Sequence, residues 1–380
     1  MDFTFSEEQE MLRKAVSEFV EAEVVPNAAE WDEEDTCPVE LFPKMGELGM
    51  TGVFVPEEYG GVGMGWTERA IVLEEISRYS AGLGIALMTH HLGIAAILRF
   101  GNEEQKKKYL PELAAGTKIA GLSVTEPTGG SDVSNQNTIA EQKDGSWVIN
   151  GRKVFITNSH IADVDVMVAK TGVNEKGRNM LSAFITEKTM EGHMPGRKEN
   201  KLGLRGSVTG EVIYKDLKVP EENMLGKPGD GQKIALSTIS EVGRAGMSAI
   251  CVGILRACFE DAVKFAKERE LYGRPLAKLQ AIQFMIAENR LAYEIGKLLT
   301  YKAFAIKDKG ERCDSEFAMA KLYTTEAAVK SAQRTMEIMG GYGVINEYPV
   351  GRYLRDALAS IPSGGTSQIM KIIIAAGALS

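Results

Sequence analysis

The stretch Leu122-Ser123-Val124-Thr125-Glu126-Pro127-Thr128-Gly129-Gly130-Ser131-Asp132 is where the residue types could do chemistry. An apolar run breaks there into a turn dense in Pro, Gly and hydroxyls. Pro127 fixes one backbone torsion, Gly129 and Gly130 permit left-handed or close-approach geometry, and Thr125, Ser131 and Asp132 supply short donors and acceptors. Such a segment suits a platform for a polar cofactor; standing alone, the same pattern also describes an ordinary surface turn. Val154-Phe155-Ile156-Thr157-Asn158 repeats the theme, an apolar strand ending in a hydroxyl and an amide.

The elements that must position these residues change character along the chain. Residues 1–118 read as helices: Ser6 with Gln9 forms a capping-box pattern, and Met11, Leu12, Val16, Phe19 and Val20 recur at helical spacing. Leu41–Leu48 and Ala70–Ser77 continue the pattern, and Ala81–Phe100 is apolar on most sides, so it reads as a buried helix carrying His90 and His91. Residues 119–225 form a β domain of short runs split by turns, with Asp144-Gly145 and Asn150-Gly151 as hairpin signals. From 226 to 380 helices return, the longest from near Gly231 to Glu270, with Ala245, Ala249 and Gly253 placing small side chains at four-residue spacing for close helix approach. An α, β, α order without alternation is unlike a doubly wound nucleotide-binding sheet and gives an α+β fold class.

At 380 residues and 44% hydrophobic, the chain is long enough for several packed layers. A net charge of −8 argues against a general nucleic-acid binder, which needs a basic face to neutralise phosphates. Cys37, Cys251, Cys258 and Cys313 have no metal-site spacing and there are only four histidines, so no metal and reduced structural thiols are expected. MDFTFSEEQEMLRK places acids where a secretion signal needs a basic start and an apolar run, and no window approaches twenty consecutive apolar residues. A cytoplasmic protein without a membrane partner is the expectation.

LSVTEPTGGSD followed by NGRKVFITN resembles the flavin-binding signature of the acyl-CoA dehydrogenases. The resemblance runs from MDFTFSEEQ to GGTSQIMK and includes PEEYGG, KLGLRGS, KERELYGRPLAKLQAIQ and GGYGVINEYPVGRYLRDA. It implies the acyl-CoA dehydrogenase fold, with an N-terminal helical domain, a middle β domain and a C-terminal helical bundle. It also implies FAD as cofactor, an acyl-CoA substrate, an electron-transferring flavoprotein as acceptor and a homotetramer. Carried onto this chain, Leu122, Val124, Thr125 and Ser131 line the flavin, while Phe155, where many relatives have Trp, and Thr157 meet the isoalloxazine. Across a subunit boundary Arg269 meets the pyrophosphate, with Tyr272, Leu279, Gln280, Glu337, Gly340 and Gly341 around the rest; a guanidinium matches phosphate oxygens as a bidentate fork. Thr366, Ser367 and Gln368 match the family's TSQ or TSE, and Ser131, Glu241 and Arg244 match its CoA-binding positions.

The resemblance fails at the base. Dehydrogenating a saturated acyl-CoA requires a group that takes the proton beside the thioester while hydride leaves the adjacent carbon. Many relatives place a glutamate just before Gly-Thr-Ser, where this chain has Gly364; others place it before the arginine of the long helix, where this chain has Gly243. The chain therefore reads as an atypical member lacking the usual catalytic glutamate. Three explanations compete: a non-catalytic flavin or acyl-CoA binding protein, a base supplied by Glu241, or a base supplied from the buried helix by His91 or, less directly, His90. A neutral imidazole with an ordinary pKa near roughly 6.5 suits that task. A displaced base in turn suits a displaced acidic proton, as in an α,β-unsaturated thioester whose γ-proton is lost to give a conjugated diene. That extends the resemblance to relatives oxidising alicyclic thioesters such as cyclohexene-carboxyl-CoA, with an enoyl-CoA reductase running in reverse as a further alternative. The amides of Gly364 and Gly365 are candidates to bind the thioester oxygen, which needs no side chain.

Overall fold

Ser6 Oγ accepts from the Gln9 amide at 3.2 Å while the Gln9 side chain accepts from the Ser6 amide at 3.0 Å, the reciprocal cap that the sequence announces. It starts α1 (Glu7–Phe19), followed by α2 (Ala28–Glu34), α3 (Leu41–Glu47), α4 (Trp66–Ser77), α5 (Ala81–Phe100) and α6 (Glu103–Ala114). The computed structural model describes residues 4–379, so Met1–Phe3 of the matched N-terminal motif and Ser380 lie outside the described residues.

One eight-stranded sheet follows: β1 (Ala120–Ser123), β2 (Ile139–Lys143), β3 (Ser146–Thr157), β4 (Val164–Val173), β5 (Asn179–Glu187), β6 (His193–Lys198), β7 (Thr209–Pro220) and β8 (Met224–Leu225). Its order is β6-β7-β3-β2-β4-β5-β8, with β1 parallel to β4. Asp144 and Gly145, at φ 49° and 76°, make the tight hairpin turn between β2 and β3. Asn150-Gly151 does not. β3 runs straight through it, and the pair absorbs a register shift between Ile149 and Gly151 against β7. A Cβ at Gly151 would stand 2.3 Å from Thr138 Oγ1, so glycine is there for close approach rather than for a turn.

The C-terminal helices are α7 (Gly231–Thr238) and α8 (Ala245–Glu268), then α9 (Gln280–Asp308), α10 (Asp314–Met339), α11 (Val350–Ser360) and α12 (Ser367–Leu379), with a small hairpin of β9 (Glu270–Leu271) and β10 (Arg274–Pro275) before α9. A π-helical turn, Ile239–Arg244, joins α7 to α8 without a break. Such turns widen a helix locally and recur at functional sites. A Cβ at Gly253 would fall 2.6 Å from Glu74 O, so α8 crosses α4 at backbone contact, as its small-residue spacing requires. Both helical sets and one face of the sheet share a single apolar core. α5 and the continuous stretch Gly231–Glu268 are long and apolar enough to cross a membrane, but 94% and 89% of their apolar windows are buried inside this fold. All four cysteines are free thiols, and burial pushes Cys251 and Cys313 up to about 11.

Candidate active site

After β1 the chain doubles back: the Gly129 amide donates to Glu126 O at 3.0 Å. Neither Gly129 nor Gly130 takes the left-handed torsion that its type permits, and nothing lies within 4 Å of a Cβ built on Gly129. The Val154 amide donates to Thr125 O at 2.9 Å, which ties this turn to the end of β3. There, Phe155 has φ 57° and sits in a register shift between Lys153 and Ile156. Left-handed backbone at a bulky residue is strained, and a bulge re-aims a side chain. The result is an aromatic ring left 67% exposed beside Thr157. Leu122 and Val124 are buried behind the turn, and Ser131 is exposed on it.

A second part of the candidate site forms where α8 ends. Arg269, Leu279, Glu337, Gly340 and Gly341 line one cleft of about 620 Å³, and the Arg269 guanidinium lies 5.5 Å from the Tyr342 ring centroid. Gly340, at φ 59° and ψ −129°, is in a region open essentially to glycine, and a Cβ on it or on Gly341 would meet nothing within 4 Å. Tyr272 projects from the β9–β10 hairpin, 91% exposed, and Gln280 begins α9.

The third part is the turn before α12, which Thr366 caps by accepting from the Ile369 amide at 3.3 Å. Ser367 is buried and Gln368 exposed at the first positions of that helix. Cations hold the turn's carbonyls: Arg244 Nε donates to Gly364 O at 3.2 Å, and Lys321 Nζ donates to Gly365 O at 2.7 Å and to Ile361 O. The Gly365 amide donates to Pro362 O at 3.3 Å, which leaves the Gly364 amide as the better placed donor for a thioester oxygen. A Cβ on Gly364 would come no closer than 3.7 Å to its neighbours, the Arg244 amide and the Gly243 carbonyl carbon.

Near this turn α5 carries one apolar stripe that is slightly less buried than the rest of the helix. Ile85, Met88, Leu92 and Ala95 keep 5–8% of their surface, while Leu83, Ala86, Leu87, Ile94, Ala96 and Ile97 keep none. Spacings of three and four residues put the accessible four on one helix face. Leu92 is the nearest neighbour of Gly243, at 3.5 Å from a built Cβ, and Met88 crowds Gly246 at 2.5 Å.

His91 and His90, the expected bases, are both engaged within the protein interior. Both are fully buried with both ring nitrogens engaged. Arg69 Nε donates to His91 Nδ1 at 3.1 Å and His91 Nε2 donates to Met50 O at 3.0 Å; the Ala120 amide donates to His90 Nδ1 and His90 Nε2 to Leu113 O, each at 3.0 Å. Burial pushes the His90 pKa down to about 4 and that of His91 well below the ordinary range, so both are neutral, but the lone pair a base would use is already occupied. Glu241 is likewise tied, to Arg99 at 2.6 Å and to Lys307. Burial alone would raise its pKa; the hydrogen bonds from Lys307 and Arg99 outweigh this and hold it ionised. The sequence reading passed over three buried cations that shape the site: Arg69, Lys153 and Lys321. Only Lys321, in Phe317-Ala318-Met319-Ala320-Lys321-Leu322, stands as a lone cation in an apolar run; Arg69 and Lys153 each follow another charged residue, which hides them.

A strained aromatic platform, a glycine-lined cleft beside an arginine and an apolar helix stripe near a polar turn together suit a flavoprotein oxidoreductase. Comparison with other proteins makes that specific. The N-terminal, middle and C-terminal domains of the acyl-CoA dehydrogenase family match residues 6–117, 121–217 and 229–379. An acyl-CoA dehydrogenase of Bacillus subtilis is 43% identical over 370 residues, covering 97% of each chain. The structure of butyryl-CoA dehydrogenase from Megasphaera elsdenii matches with a TM-score of 0.97 at 36% identity, covering 100% of both chains. A structure described as an electron transferring flavoprotein of Acidaminococcus fermentans also matches, with a TM-score of 0.97, 39% identity and 100% coverage of both chains.

The chain belongs to the acyl-CoA dehydrogenase family, and is an FAD-dependent oxidoreductase acting on CoA thioesters. The residues present fit FAD: an exposed ring and hydroxyl at Phe155 and Thr157, and a guanidinium beside open glycine backbone at Arg269 and Gly340. Neither a purely non-catalytic reading nor a reverse reductase finds support in these likenesses.

Proposed function

We propose that this protein oxidises a short acyl-CoA whose thioester lies at the Gly364–Gly365 turn and whose acyl group runs along the Ile85, Met88, Leu92 stripe. The observation that carries this reading is the turn itself: Arg244 and Lys321 fix its carbonyls, leaving the Gly364 amide to bind the thioester oxygen and stabilise developing enolate charge. Bound FAD supplies the hydride acceptor. The chain supplies position. With Gly364 and Gly243 at the two usual glutamate positions and His90, His91 and Glu241 engaged elsewhere, we assign the proton to a water rather than to any of these side chains. The cyclic, diene-forming substrate expected from a relocated base loses its rationale along with His91, and such a thioester is retained only as one member of the screen below.

The reduced cofactor would pass electrons to an electron-transferring flavoprotein, and the Arg269 cleft would receive the adenosine end of a neighbouring subunit's FAD. Phe284, Leu291 and Leu298, 50–60% exposed on α9, support a tetramer buried along that helix. The test is anaerobic addition of linear, dicarboxylic and cyclic acyl-CoAs to the yellow protein, followed at the flavin absorption band. Bleaching by a short acyl-CoA is expected; retention of colour with every thioester would overturn the reading.

A further inference from the structure

Lys321 is a buried ammonium that no carboxylate neutralises. It lies within α10 and keeps none of its surface, yet both groups it holds belong to the turn before α12: Gly365 O at 2.7 Å, and Ile361 O. On the adjacent peptide Arg244 Nε donates to Gly364 O at 3.2 Å. Among the described residues neither cation has a carboxylate as its ion-pair partner. Arg244 reaches Asp314 only through Ser240 Oγ, which accepts from Nη1 at 3.1 Å and donates to Asp314 Oδ1 at 2.7 Å. Lys321 faces the Cys251 thiol and Arg244 from α8 and, farther along its own helix, Glu326; burial outweighs them and lowers its pKa to about 8. A cation taken out of water without an anion is costly, and folded chains seldom leave one uncompensated.

The fold sets this charge behind the reacting end of the ligand rather than in contact with it. Ile361, Gly364, Gly365 and Thr366 are half-buried, whereas Lys321 behind them is sealed. A ligand at the turn meets the Gly364 amide, and the ammonium holds the carbonyl of the next residue. Both glycines have positive φ, 69° and 118°, a backbone shape that favours glycine and here gives each carbonyl to a buried cation. The missing glutamate matters at this point. A side chain at position 364 would start within 3.8 Å of Arg244 Cγ, so a carboxylate there would be an anion among these cations; with glycine the turn carries none. The place left for a negative charge is the oxygen of the ligand.

Resting on the reading above that an acyl-CoA thioester lies at this turn, we propose that Lys321 is a positioning residue whose charge takes the thioester enolate as its counter-ion, acidifying the α-carbon where the chain lacks a carboxylate base. Ionisation breaks one C–H bond, moves its electron pair to the thioester oxygen beside the Gly364 amide, and leaves the proton with water. The ammonium favours that oxyanion through space, and it holds the turn in shape before charge develops, which is how preorganised charge lowers a barrier. A neutral group making the same hydrogen bonds keeps the shape and loses the electrostatic effect.

The test is the ionisation of acetoacetyl-CoA, a short acyl-CoA with an acidic α-proton, bound to the FAD-loaded full chain at pH 7, where Lys321 is charged. Calorimetry gives its affinity, and near-ultraviolet difference absorbance gives the fraction present as enolate. Expected is a ratio of enolate to keto form about tenfold lower, one pKa unit, in Lys321→Gln, which keeps N–H donors, and in Lys321→Met. Lys321→Arg, which keeps the charge, should stay close to the parent. An unchanged ratio in Lys321→Gln overturns the proposal, as does a parent that binds the ligand wholly as the keto form. A loss in Lys321→Arg equal to that in Lys321→Met also overturns it, because the effect then follows the shape of the turn. If Lys321→Met does not fold, the parent, Lys321→Gln and Lys321→Arg decide. Binding with an unchanged ratio sinks the role of Lys321 and spares the acyl-CoA reading; a parent that binds no acetoacetyl-CoA sinks both.

Discussion

Lys153 Nζ lies 2.8 Å from Glu126 Oε1, and the two side chains keep 0% and 1% of their surface. The same ammonium donates to Val124 O and Gln136 Oε1, while Glu126 also accepts from the Asn137 and Thr138 amides. The pair therefore pins the turn after β1 to the strand that bears Phe155. Burial pushes Lys153 down to about 8, and the carboxylate opposite counters that fall. Removing one partner of such a pair strands the other, at a cost of about 3–5 kcal/mol. Lys153→Met and Glu126→Gln are expected to be purified with much less flavin than the parent, measured as bound FAD per polypeptide. Full flavin content in both variants would show that the turn holds its shape without the pair.

His91 is a structural residue by the same logic. His91→Phe removes the acceptor for Arg69 Nε and the donor to Met50 O, and two buried polar groups left open cost on the order of 2–4 kcal/mol. Denaturant unfolding should show that loss, while flavin reduction by valeryl-CoA in the folded fraction changes little. Abolished reduction with undiminished stability would restore the imidazole as the proton acceptor.

The sequence made the layout legible because its signals are local. The Ser6–Gln9 cap, the all-round apolar α5 and the Asp144-Gly145 turn each depend on residues a few positions apart. Asn150-Gly151 misleads because its register shift is set by the facing strand β7. His91 misleads for a related reason. Its type suits a base, but its partners Arg69 and Met50 stand 22 and 41 positions away, and only tertiary packing shows that its nitrogens are taken. Lys321 was equally hidden, since the carbonyls it holds are 40 and 44 positions off.

Asp356 gives the fold a pH dependence. Its carboxylate accepts from the Leu204 amide at 2.6 Å, yet burial raises its pKa from 3.8 to about 6. Between those values the folded chain holds the proton more tightly than the unfolded one, so stability falls as pH rises through the window and the loss is complete above it. At about 1.4 kcal/mol per unit the whole effect is on the order of 3 kcal/mol. Asp356→Asn keeps an acceptor for Leu204 without the charge. Melting curves at pH 5 and pH 7 should differ less for this variant than for the parent; parallel shifts would mean that Asp356 does not set the slope.

Gly364→Glu most directly tests whether a carboxylate at this turn aids the reaction. A side chain there has room, with the nearest neighbours 3.7 Å or more from a built Cβ, although φ 69° makes any L-residue strained by about 1–2 kcal/mol. Gly364→Glu should speed anaerobic flavin reduction by a saturated thioester, since a positioned general base contributes roughly 10²–10⁴-fold. The gain should disappear as pH falls through the range in which a glutamate takes up its proton. Gly364→Ala separates chemistry from strain, because it carries the same backbone cost without a carboxylate. Stopped-flow traces in which the glutamate variant is no faster than the alanine variant would mean either that the carboxylate does not reach the proton beside the thioester or that the thioester does not lie against this turn. Calorimetric binding of valeryl-CoA to the same variants distinguishes the two, because a displaced thioester alters affinity and an unreachable proton does not.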